Sequence, residues 1–384
     1  MPDAALLLIT NGELYGPRPQ GRASILIAAG RIIAVGEISK RTVDALGVEV
    51  DVIDAAGCVV TPGLIDPHEH LIGGSGESGF HSQTPEIYLH ELVQGGITTV
   101  VGCLGVDTSS RTMPALLAKC KGVRAEGLSA HIYTGGYTVP AVTITGDARD
   151  DILFIEEVIG IGETAIADHR GSRATLAELA RLASRAYTGG ILAGKAGVLH
   201  LHTGDDERRL ADVRALIDDF GIAPETLYPT HVERNEQLFD EALALTGRGV
   251  TVDIDVMEGD LAMWLRRYRE RGGAEGRLTA SSDAAITSPA SLLEQVRDCV
   301  VAHGFTLEDV LPLVTSNTAR MLKLVSKGRL EPGADGDVLA LETGTLRLRH
   351  VVAAGRVMLR DGVVTAREKF LEKSKRRINL NAAS

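Results

Sequence analysis

Cysteine is scarce in this chain, and the four positions that carry it exclude a disulfide framework. Cys58, Cys103, Cys120 and Cys299 show no Cys-X-X-Cys spacing, so they do not form a cysteine zinc motif either. Their surroundings are mostly apolar, which favours buried free thiols. None of them is a good candidate nucleophile.

Long apolar runs and a positive net charge are also missing. No run approaches the roughly 18 residues that span a bilayer, and the early segment AALLLIT lacks the basic start and the cleavage site of a signal peptide. The net charge of −11 argues against nucleic-acid or anionic membrane partners. We therefore expect a cytoplasmic protein that acts on neither nucleic acid nor membrane.

Motifs of covalent and phosphate chemistry are absent as well. There is no Gly-X-Ser-X-Gly elbow, and GGSGESG lacks the lysine and the Ser/Thr that end a P-loop. We interpret this run, with Gly74, Ser75, Gly76 and Glu77, as a flexible loop that brings backbone N–H groups and a carboxylate to a substrate. A plain glycine-rich turn is the alternative.

Short strands and turns occupy both ends of the 384-residue chain, in residues 1–61 and 331–384. In residues 62–330, strands such as GVLHLH and GVTVDIDV alternate with helical patterns such as LAELARLASRA. This alternation is typical of βα units that build a parallel sheet or barrel. We predict a small β domain made from both termini and an α/β domain between them.

Residues that bind divalent metals lie at or just beyond the ends of four apolar runs. They are His68 and His70 in GLIDPHEH, His202 in VLHLHTGD, His231 in LYPTHVERN and Asp283 in RLTASSD. If the runs are parallel strands of one barrel, these groups converge at one edge. A lone His-X-His pair is weak evidence, because exposed and core histidines are common. The whole set predicts a metal centre.

The segments VVTPGLIDPHEH and TSNTARMLKL, with the His and Asp positions between them, resemble the amidohydrolase superfamily over nearly the whole chain. Within it, LIGGSGESG, TGGYTVP, DHRGS and PTHVERN look like the isoaspartyl dipeptidase family, which cleaves β-aspartyl isopeptide bonds. The resemblance implies a (β/α)₈ TIM barrel with two divalent metals, expected to be zinc, flanked by a β-sandwich from both termini. It also implies a homo-oligomer.

The resemblance assigns roles to the metal ligands. His68 and His70 would hold the more buried metal, and His202 and His231 the second. Asp283 would touch the buried metal and act as general base and acid while a metal-bridging hydroxide attacks the amide.

Tyr137 and three charged residues would handle the substrate. Tyr137 in TGGYTVP would polarise the scissile carbonyl. Glu77, Arg170 and Arg234 would recognise the charged ends of a dipeptide, since a guanidinium can hold a carboxylate with two hydrogen bonds. Taken singly, either arginine is more often a surface or structural ion pair.

Glu163 departs from the family pattern. Many members carry a carboxylated lysine here, which bridges the metals, whereas the alignment from AIADHR puts Glu163 at this place. A glutamate can also offer one oxygen to each cation, and the segment is one residue longer than in the lysine form. The alternatives are that Glu163 is a surface acid, or that Lys195 in LAGKAGV is the bridging residue.

Two further departures concern specificity. Val106 replaces an expected threonine, and DAAIT replaces a longer loop, so Thr287 is the candidate for a hydroxyl that the family provides with serine. These changes leave the chemistry intact and put the exact substrate in question.

Three functional hypotheses follow. The first is a metallopeptidase for β-aspartyl dipeptides, and the second is an amidohydrolase for N-acyl amino acids or cyclic amides. Glu77 favours the first, because acylated and cyclic amides lack the free amine that it would bind. The third, a non-catalytic protein on this fold, predicts damaged ligands, and the set is intact.

Overall fold

The computed structural model describes residues 5–74, 76–257 and 259–375. Its strands are β1 (Leu6–Tyr15), β2 (Pro19–Ala28), β3 (Arg31–Gly36), β4 (Val50–Asp54), β5 (Cys58–Pro62), β6 (Leu64–Glu69), β7 (Ile97–Gly102), β8 (Ser129–Thr134), β9 (Val158–Ile166), β10 (Val198–Thr203), β11 (Leu227–Thr230), β12 (Val252–Asp255), β13 (Leu278–Ser281), β14 (Val338–Glu342), β15 (Leu348–Ala353), β16 (Arg356–Arg360) and β17 (Val363–Val364).

The α-helices are α1 (Lys40–Asp44), α2 (Leu89–Gln94), α3 (Met113–Glu126), α4 (Ala148–Phe154), α5 (Leu176–Ala193), α6 (Ala211–Asp218), α7 (Glu236–Thr246), α8 (Leu261–Glu270), α9 (Ala290–Val301), α10 (Leu307–Val310) and α11 (Ser316–Met321). Short 3₁₀ turns lie at Phe80–Ser82, Pro224–Thr226, Leu311–Val314 and Lys369–Glu372. None of the helices in the described residues is both long and apolar enough to cross a membrane.

Strands from both ends of the chain form one sheet. Its nine strands run in the order β17-β16-β15-β14-β5-β1-β2-β3, with β4 paired to β1. The N- and C-terminal segments meet where β5 pairs antiparallel with β14. Hydrogen bonding joins these strands in a single sheet, so a sandwich of two packed sheets stays a prediction.

Alternating side chains explain why this sheet is covered on both faces. Successive residues on a strand point to opposite faces. Leu7 and Ile9 of β1 pack in one apolar cluster with strands from both termini, whereas Leu6 and Leu8 pack in another with Val43 of α1.

The middle of the chain builds parallel strands in sequence order. Strands β6 to β11 form a six-stranded sheet, and β12 and β13 form a separate parallel pair. The segment after β13 returns to β6, the first strand of the six-stranded sheet. There Glu69 and Ala284 form a parallel bridge, and the backbone N–H of Asp283 donates to His68 O at 3.2 Å. The prediction of an α/β fold with a parallel sheet is confirmed, and the sheet forms at least half of a barrel. The closed (β/α)₈ barrel stays a prediction.

Burial on both faces accounts for the apolar strands, and amphipathic helices cover them. All residues of β6, β7, β9 and β10 are buried, as expected for parallel strands under helices. Helix α5 begins with a capping box between Thr175 and Glu178 and ends at Gly194, whose φ of 67° suits glycine. Its buried face repeats at helical spacing through Leu179, Leu182, Ala183 and Ala186.

Lys327 connects the nine-stranded sheet with the six-stranded sheet through ion pairs and a hydrogen bond. Its ammonium lies 2.8 Å from Asp335 Oδ2 and also contacts Asp337, while it donates to Ser129 Oγ at 2.6 Å. Ser129 begins β8 and Asp337 directly precedes β14. The Lys327 side chain is 7% exposed, so its partners are held away from bulk water.

We expect Lys327→Met to lower the free energy of unfolding by about 3–5 kcal/mol, because it leaves buried Asp337 without its cation. Asp335 retains Arg31, whose Nη1 lies 2.8 Å from its Oδ1. Urea denaturation followed by circular dichroism measures the change. The exposed Lys323→Met is the matched control and should alter stability by less than about 0.5 kcal/mol. Equal stability of the two variants would contradict this role.

Candidate metal centre

The predicted ligands converge at the carboxyl edge of the parallel strands. His68 lies in β6, Glu163 in β9 and His202 in β10. The other three follow directly or closely after a strand: His70, His231 and Asp283. All six residues are buried, with exposed fractions of 8% or less.

Glu163 lies between two pairs of histidines. Its Oε1 is 3.5 Å from His68 Nε2 and 3.4 Å from His70 Nε2. Its Oε2 is 2.9 Å from His202 Nδ1 and 3.5 Å from His231 Nε2. Ligands of one tetrahedral zinc, each about 2.0–2.1 Å from the metal, are separated by about 3.3 Å. The glutamate therefore presents one oxygen to each histidine pair. Three of the four distances lie close to this ligand separation, and the 2.9 Å contact with His202 Nδ1 is a hydrogen-bond distance.

Unpartnered buried atoms support the same conclusion. Both ring nitrogens of His68 and Oδ1 of Asp283 are buried without a hydrogen-bond partner. Asp283 Oδ1 lies 3.5 Å from His68 Nε2 and 3.2 Å from His70 Nε2. Buried polar atoms are rarely left unsatisfied in folded proteins. Imidazole and carboxylate donors suit a divalent transition metal, so these residues fit a bound cation.

The electrostatics of the cluster favour positive charge inside it. Burial disfavours a charged imidazole, but Cys103, Glu163 and Asp283 outweigh it and raise the pKa of His68 well above its usual value. Burial also disfavours the carboxylate, yet the charges of His68 and His202 hold the pKa of Glu163 well below its usual value. A metal ion that binds here takes the place of protons on the imidazoles.

A β-bulge directs Glu163 into the site. Leu199 of β10 pairs with Ile161, and Leu201 pairs with Thr164, so β9 carries one extra residue at Gly162–Glu163. A bulge re-aims the side chain at that point. A Cβ on Gly162 would lie 2.7 Å from the Cβ of His200, so only glycine fits this close approach.

Lys195, the alternative bridging residue, is engaged elsewhere. Its Nζ donates to the carbonyl oxygens of Ile152, Ile155 and Val158 at 2.6, 2.6 and 3.0 Å. These carbonyls lie at the end of α4 and at the start of β9, away from the carboxyl edge that carries the ligands. Lys195 therefore anchors a helix end.

Tyr137 lies against the second histidine pair. Its hydroxyl is 2.9 Å from His202 Nδ1, and the Arg170 guanidinium lies 5.4 Å from its ring centroid. Burial, together with the charge of Glu163, raises the pKa of Tyr137 well above its usual value. The phenol therefore stays protonated and can donate a hydrogen bond.

The predicted substrate residues lie around the same mouth. Arg170 donates to Glu77 Oε1 at 2.7 Å, and Arg170 and Arg234 both approach His202 Nε2, at 3.1 and 3.5 Å. Arg234 also donates from Nε to Thr203 O at 2.8 Å. The two guanidinium groups thus share one corner of the site.

Loop residues lie beside the predicted ligands. A Cβ on Gly74 would lie 3.2 Å from the His70 ring, so this backbone passes directly beside a ligand. Gly76, Glu77 and Val106 line a neighbouring cavity of about 620 Å³, whose walls come from these loops and include none of the predicted ligands. Ser75 lies outside the described residues.

Thr287 is close to the site but engaged with the backbone. Its hydroxyl donates to Ser282 O at 3.3 Å, next to Asp283. Its role as a substitute for a substrate-binding serine stays a prediction.

Sequence reasoning did not assign three residues that contact the ligands. Asp255 Oδ2 lies 2.6 Å from His231 Nδ1, Asp168 Oδ2 lies 3.1 Å from His202 Nε2, and Cys103 Sγ lies 3.8 Å from His70 Nδ1. Each ends or follows a buried strand, which is the signal that identified the ligands themselves. Applied to every strand, that signal would have found them.

The amidohydrolase family model matches residues 59–367 of this chain. A structure of β-aspartyl dipeptidase from the thermophilic, keratin-degrading Fervidobacterium islandicum AW-1 is 34% identical, covers 98% of this chain and 100% of its own, and superposes with a TM-score of 0.89. The same enzyme in complex with the β-Asp-Leu dipeptide is 33% identical over the same shares, also with a TM-score of 0.89.

Curated relatives match less closely. Imidazolonepropionase of Geobacillus thermodenitrificans is 58% identical over 52 residues, which is 13% of this chain and 12% of that protein. Adenine deaminase 2 of Rhizobium meliloti is 25% identical over 90% of this chain and 58% of its own length. The chain thus spans little more than half of adenine deaminase 2 and a small part of imidazolonepropionase.

Zinc should stabilise the folded protein through Glu163 without any need for carbon dioxide. Metal-depleted protein in bicarbonate-free buffer should gain about 2.7 kcal/mol in free energy of unfolding once free zinc exceeds its Kd a hundredfold. Chemical denaturation with and without zinc measures this gain. Glu163→Gln should lose most of it, because an amide is a weak bridging ligand, whereas exposed Glu270→Gln should retain it.

A strict dependence of the zinc effect on added bicarbonate would contradict the glutamate bridge, because bicarbonate is needed only to carboxylate a lysine.

Proposed function

Because the chain belongs to the amidohydrolase family, we propose that it is a binuclear metal-dependent dipeptidase that hydrolyses β-aspartyl (isoaspartyl) dipeptides. The observation that carries the proposal is Glu163, which directs one carboxylate oxygen to each of two histidine pairs. The likeness to a β-aspartyl dipeptidase solved with β-Asp-Leu supports the substrate class.

We take β6 to β13 as a closed (β/α)₈ barrel in residues 62–330. The parallel bridge between Ala284, which follows β13, and Glu69 at the end of β6 supports closure. The β-sandwich domain would then comprise residues 1–61 and 331–384. The cytoplasmic location and the homo-oligomeric state stay predictions from the sequence.

Two divalent cations, proposed to be zinc, would share the cluster. His68, His70 and Asp283 would hold one, His202 and His231 the other, and Glu163 both. When bound, the cations supply Lewis-acid polarisation of the scissile carbonyl and an activated water.

Asp283 and Tyr137 carry out the proton and charge steps in this proposal. The Asp283 carboxylate accepts a proton from the attacking water and returns it to the departing amine nitrogen. The Tyr137 hydroxyl donates a hydrogen bond to the carbonyl oxygen as negative charge develops there.

Charge complementarity explains the choice of substrate. A β-aspartyl dipeptide has one free amine and two carboxylates around the scissile amide. Glu77 would receive the amine, while Arg170 and Arg234 would hold carboxylates. The backbone of Gly74 and Gly76 would contact the ligand, with Val106 and Thr287 at its sides.

Substitution of the two catalytic candidates should lower kcat. We expect Asp283→Asn to reduce kcat by about 10²–10⁴-fold, because it removes the proton acceptor. Tyr137→Phe should reduce it by about 10²–10³-fold, the usual effect of losing one oxyanion donor. Steady-state kinetics with β-Asp-Leu measures both. A variant in which KM alone changes would disprove the assigned role.

The isopeptide linkage should decide reactivity. An α-linked dipeptide shortens the path from amine to amide by one methylene group, so the same anchors would hold its carbonyl away from the metals. We expect β-Asp-Leu to exceed α-Asp-Leu in kcat/KM by at least about a hundredfold. Arg170→Met and Arg234→Met should each cost about 2–5 kcal/mol in kcat/KM if a desolvated charge pair is broken.

N-acetylation of β-Asp-Leu is the control for Glu77 and should remove most activity. Equal turnover of α-linked or N-acylated substrates would overturn the assignment in favour of an amidohydrolase for N-acyl amino acids or cyclic amides.

A further inference from the structure

Asp168 lies between a metal ligand and a substrate arginine. Its Oδ2 is 3.1 Å from His202 Nε2 and 2.7 Å from an Arg170 terminal nitrogen. Its Oδ1 accepts from Arg170 Nε at 3.0 Å and from the Arg170 backbone N–H at 2.8 Å. The Asp168 side chain is only 2% exposed, so His202 and Arg170 take the place of solvent around it.

The contact with His202 sets the orientation of that imidazole. His202 Nδ1 faces Glu163 Oε2 at 2.9 Å and Nε2 faces Asp168. A neutral imidazole can offer the Nδ1 lone pair to a cation only when Nε2 carries the proton. Arg170 and Arg234 also approach Nε2, at 3.1 and 3.5 Å, but guanidinium groups only donate. The Asp168 carboxylate can accept the Nε2 proton, which favours that tautomer and makes the ring a better ligand.

The contact with Arg170 sets the position of the guanidinium. Two parallel hydrogen bonds to one carboxylate fix the plane of the group. The fork leaves Arg170 Nη1 directed at Glu77 Oε1, 2.7 Å away, with the guanidinium over the Tyr137 ring. This nitrogen is thus held beside Glu77 at the mouth of the site.

The backbone around Asp168 is closely packed. A Cβ on Gly204 would lie 2.3 Å from Ala167 O and 2.6 Å from the Cβ of Asp168. A Cβ on Gly171 would lie 3.0 Å from that of Ala165. The glycines on both sides allow neighbouring segments to hold the aspartate in one place.

We propose that Asp168 is a positioning residue that joins metal binding to substrate binding, because one carboxylate orients both the His202 imidazole and the Arg170 guanidinium. The substrate half rests on the proposed function, whereas the metal half does not. If Asp168 only stabilised the turn, its substitution would lower the stability of the fold and leave the zinc Kd and KM unchanged.

The test compares Asp168→Asn with wild type in two measurements. Competition with a chelator gives the zinc Kd, and steady-state kinetics at saturating zinc gives KM and kcat for β-Asp-Leu. Asparagine keeps an oxygen for the Arg170 backbone N–H but loses the carboxylate shared by both side chains. We expect zinc affinity to fall about 10–100-fold, and KM to rise even with the metal sites filled.

Two control variants separate the halves. Asp255 contacts His231 Nδ1 in the same way that Asp168 contacts His202, yet it has no contact with Arg170 among its hydrogen bonds. Asp255→Asn should weaken zinc binding and leave KM unchanged at saturating zinc. Glu77→Gln should raise KM and leave the zinc Kd unchanged, because Glu77 contacts Arg170 Nη1 and none of the predicted metal ligands among its hydrogen bonds. Asp168→Asn alone should change both.

An unchanged zinc Kd in folded Asp168→Asn would overturn the metal half, and a KM restored to the wild-type value by saturating zinc would overturn the link to substrate. If the asparagine variant does not fold, Asp168→Glu, which keeps the charge but displaces it, decides by the same two readouts. If wild type does not cleave β-Asp-Leu while Asp168→Asn still weakens zinc binding, the proposed function fails and the metal half stands.

Discussion

The contact of one buried carboxylate with four imidazoles is the constraint on which the rest of this structure depends. Glu163 is 1% exposed, and removing an ion from water costs several kcal/mol unless partners replace the solvent. Its oxygens lie 2.9–3.5 Å from four ring nitrogens that come from three strand ends. Such a cluster is stable only on a rigid frame, and a parallel sheet with helices over it provides one.

Glycines, which have no side chain, shape the site as much as the predicted ligands do. Gly162 lets β9 approach β10 closely enough for the bulge that directs Glu163 inward. A Cβ on Gly105 would lie 2.9 Å from His70 Cε1, inside the space that the imidazole needs. A Cβ on Gly74 would lie 3.2 Å from Cγ of the same ring. The ligands can face one another because backbone lies where side chains would otherwise stand.

Charge of alternating sign surrounds the cluster. The imidazoles of His202 and His231 contact the carboxylates of Asp168 and Asp255, respectively. Asp168 is followed outward by Arg170 and then Glu77. In a medium of low dielectric, each of these charges is stabilised by its neighbour of opposite sign. In the outermost pair, Arg170 and Glu77, the glutamate side chain is 49% exposed. A zwitterionic ligand can therefore replace each partner of this pair with an opposite charge of its own.

Short-range patterns in the sequence determined the strand-end histidines, Asp283, the α/β alternation and the family, because each depends on residues adjacent in the chain or on a local motif. Tertiary structure decided what each group faces. Glu163 divides its oxygens between histidine pairs because a one-residue bulge changes the register of β9, and a single-residue shift turns a side chain to the other face of a strand. Lys195 anchors a helix end, Asp168 meets His202 from 34 positions away, and the two termini share one sheet. These contacts depend on register and packing between distant segments, which no local pattern encodes.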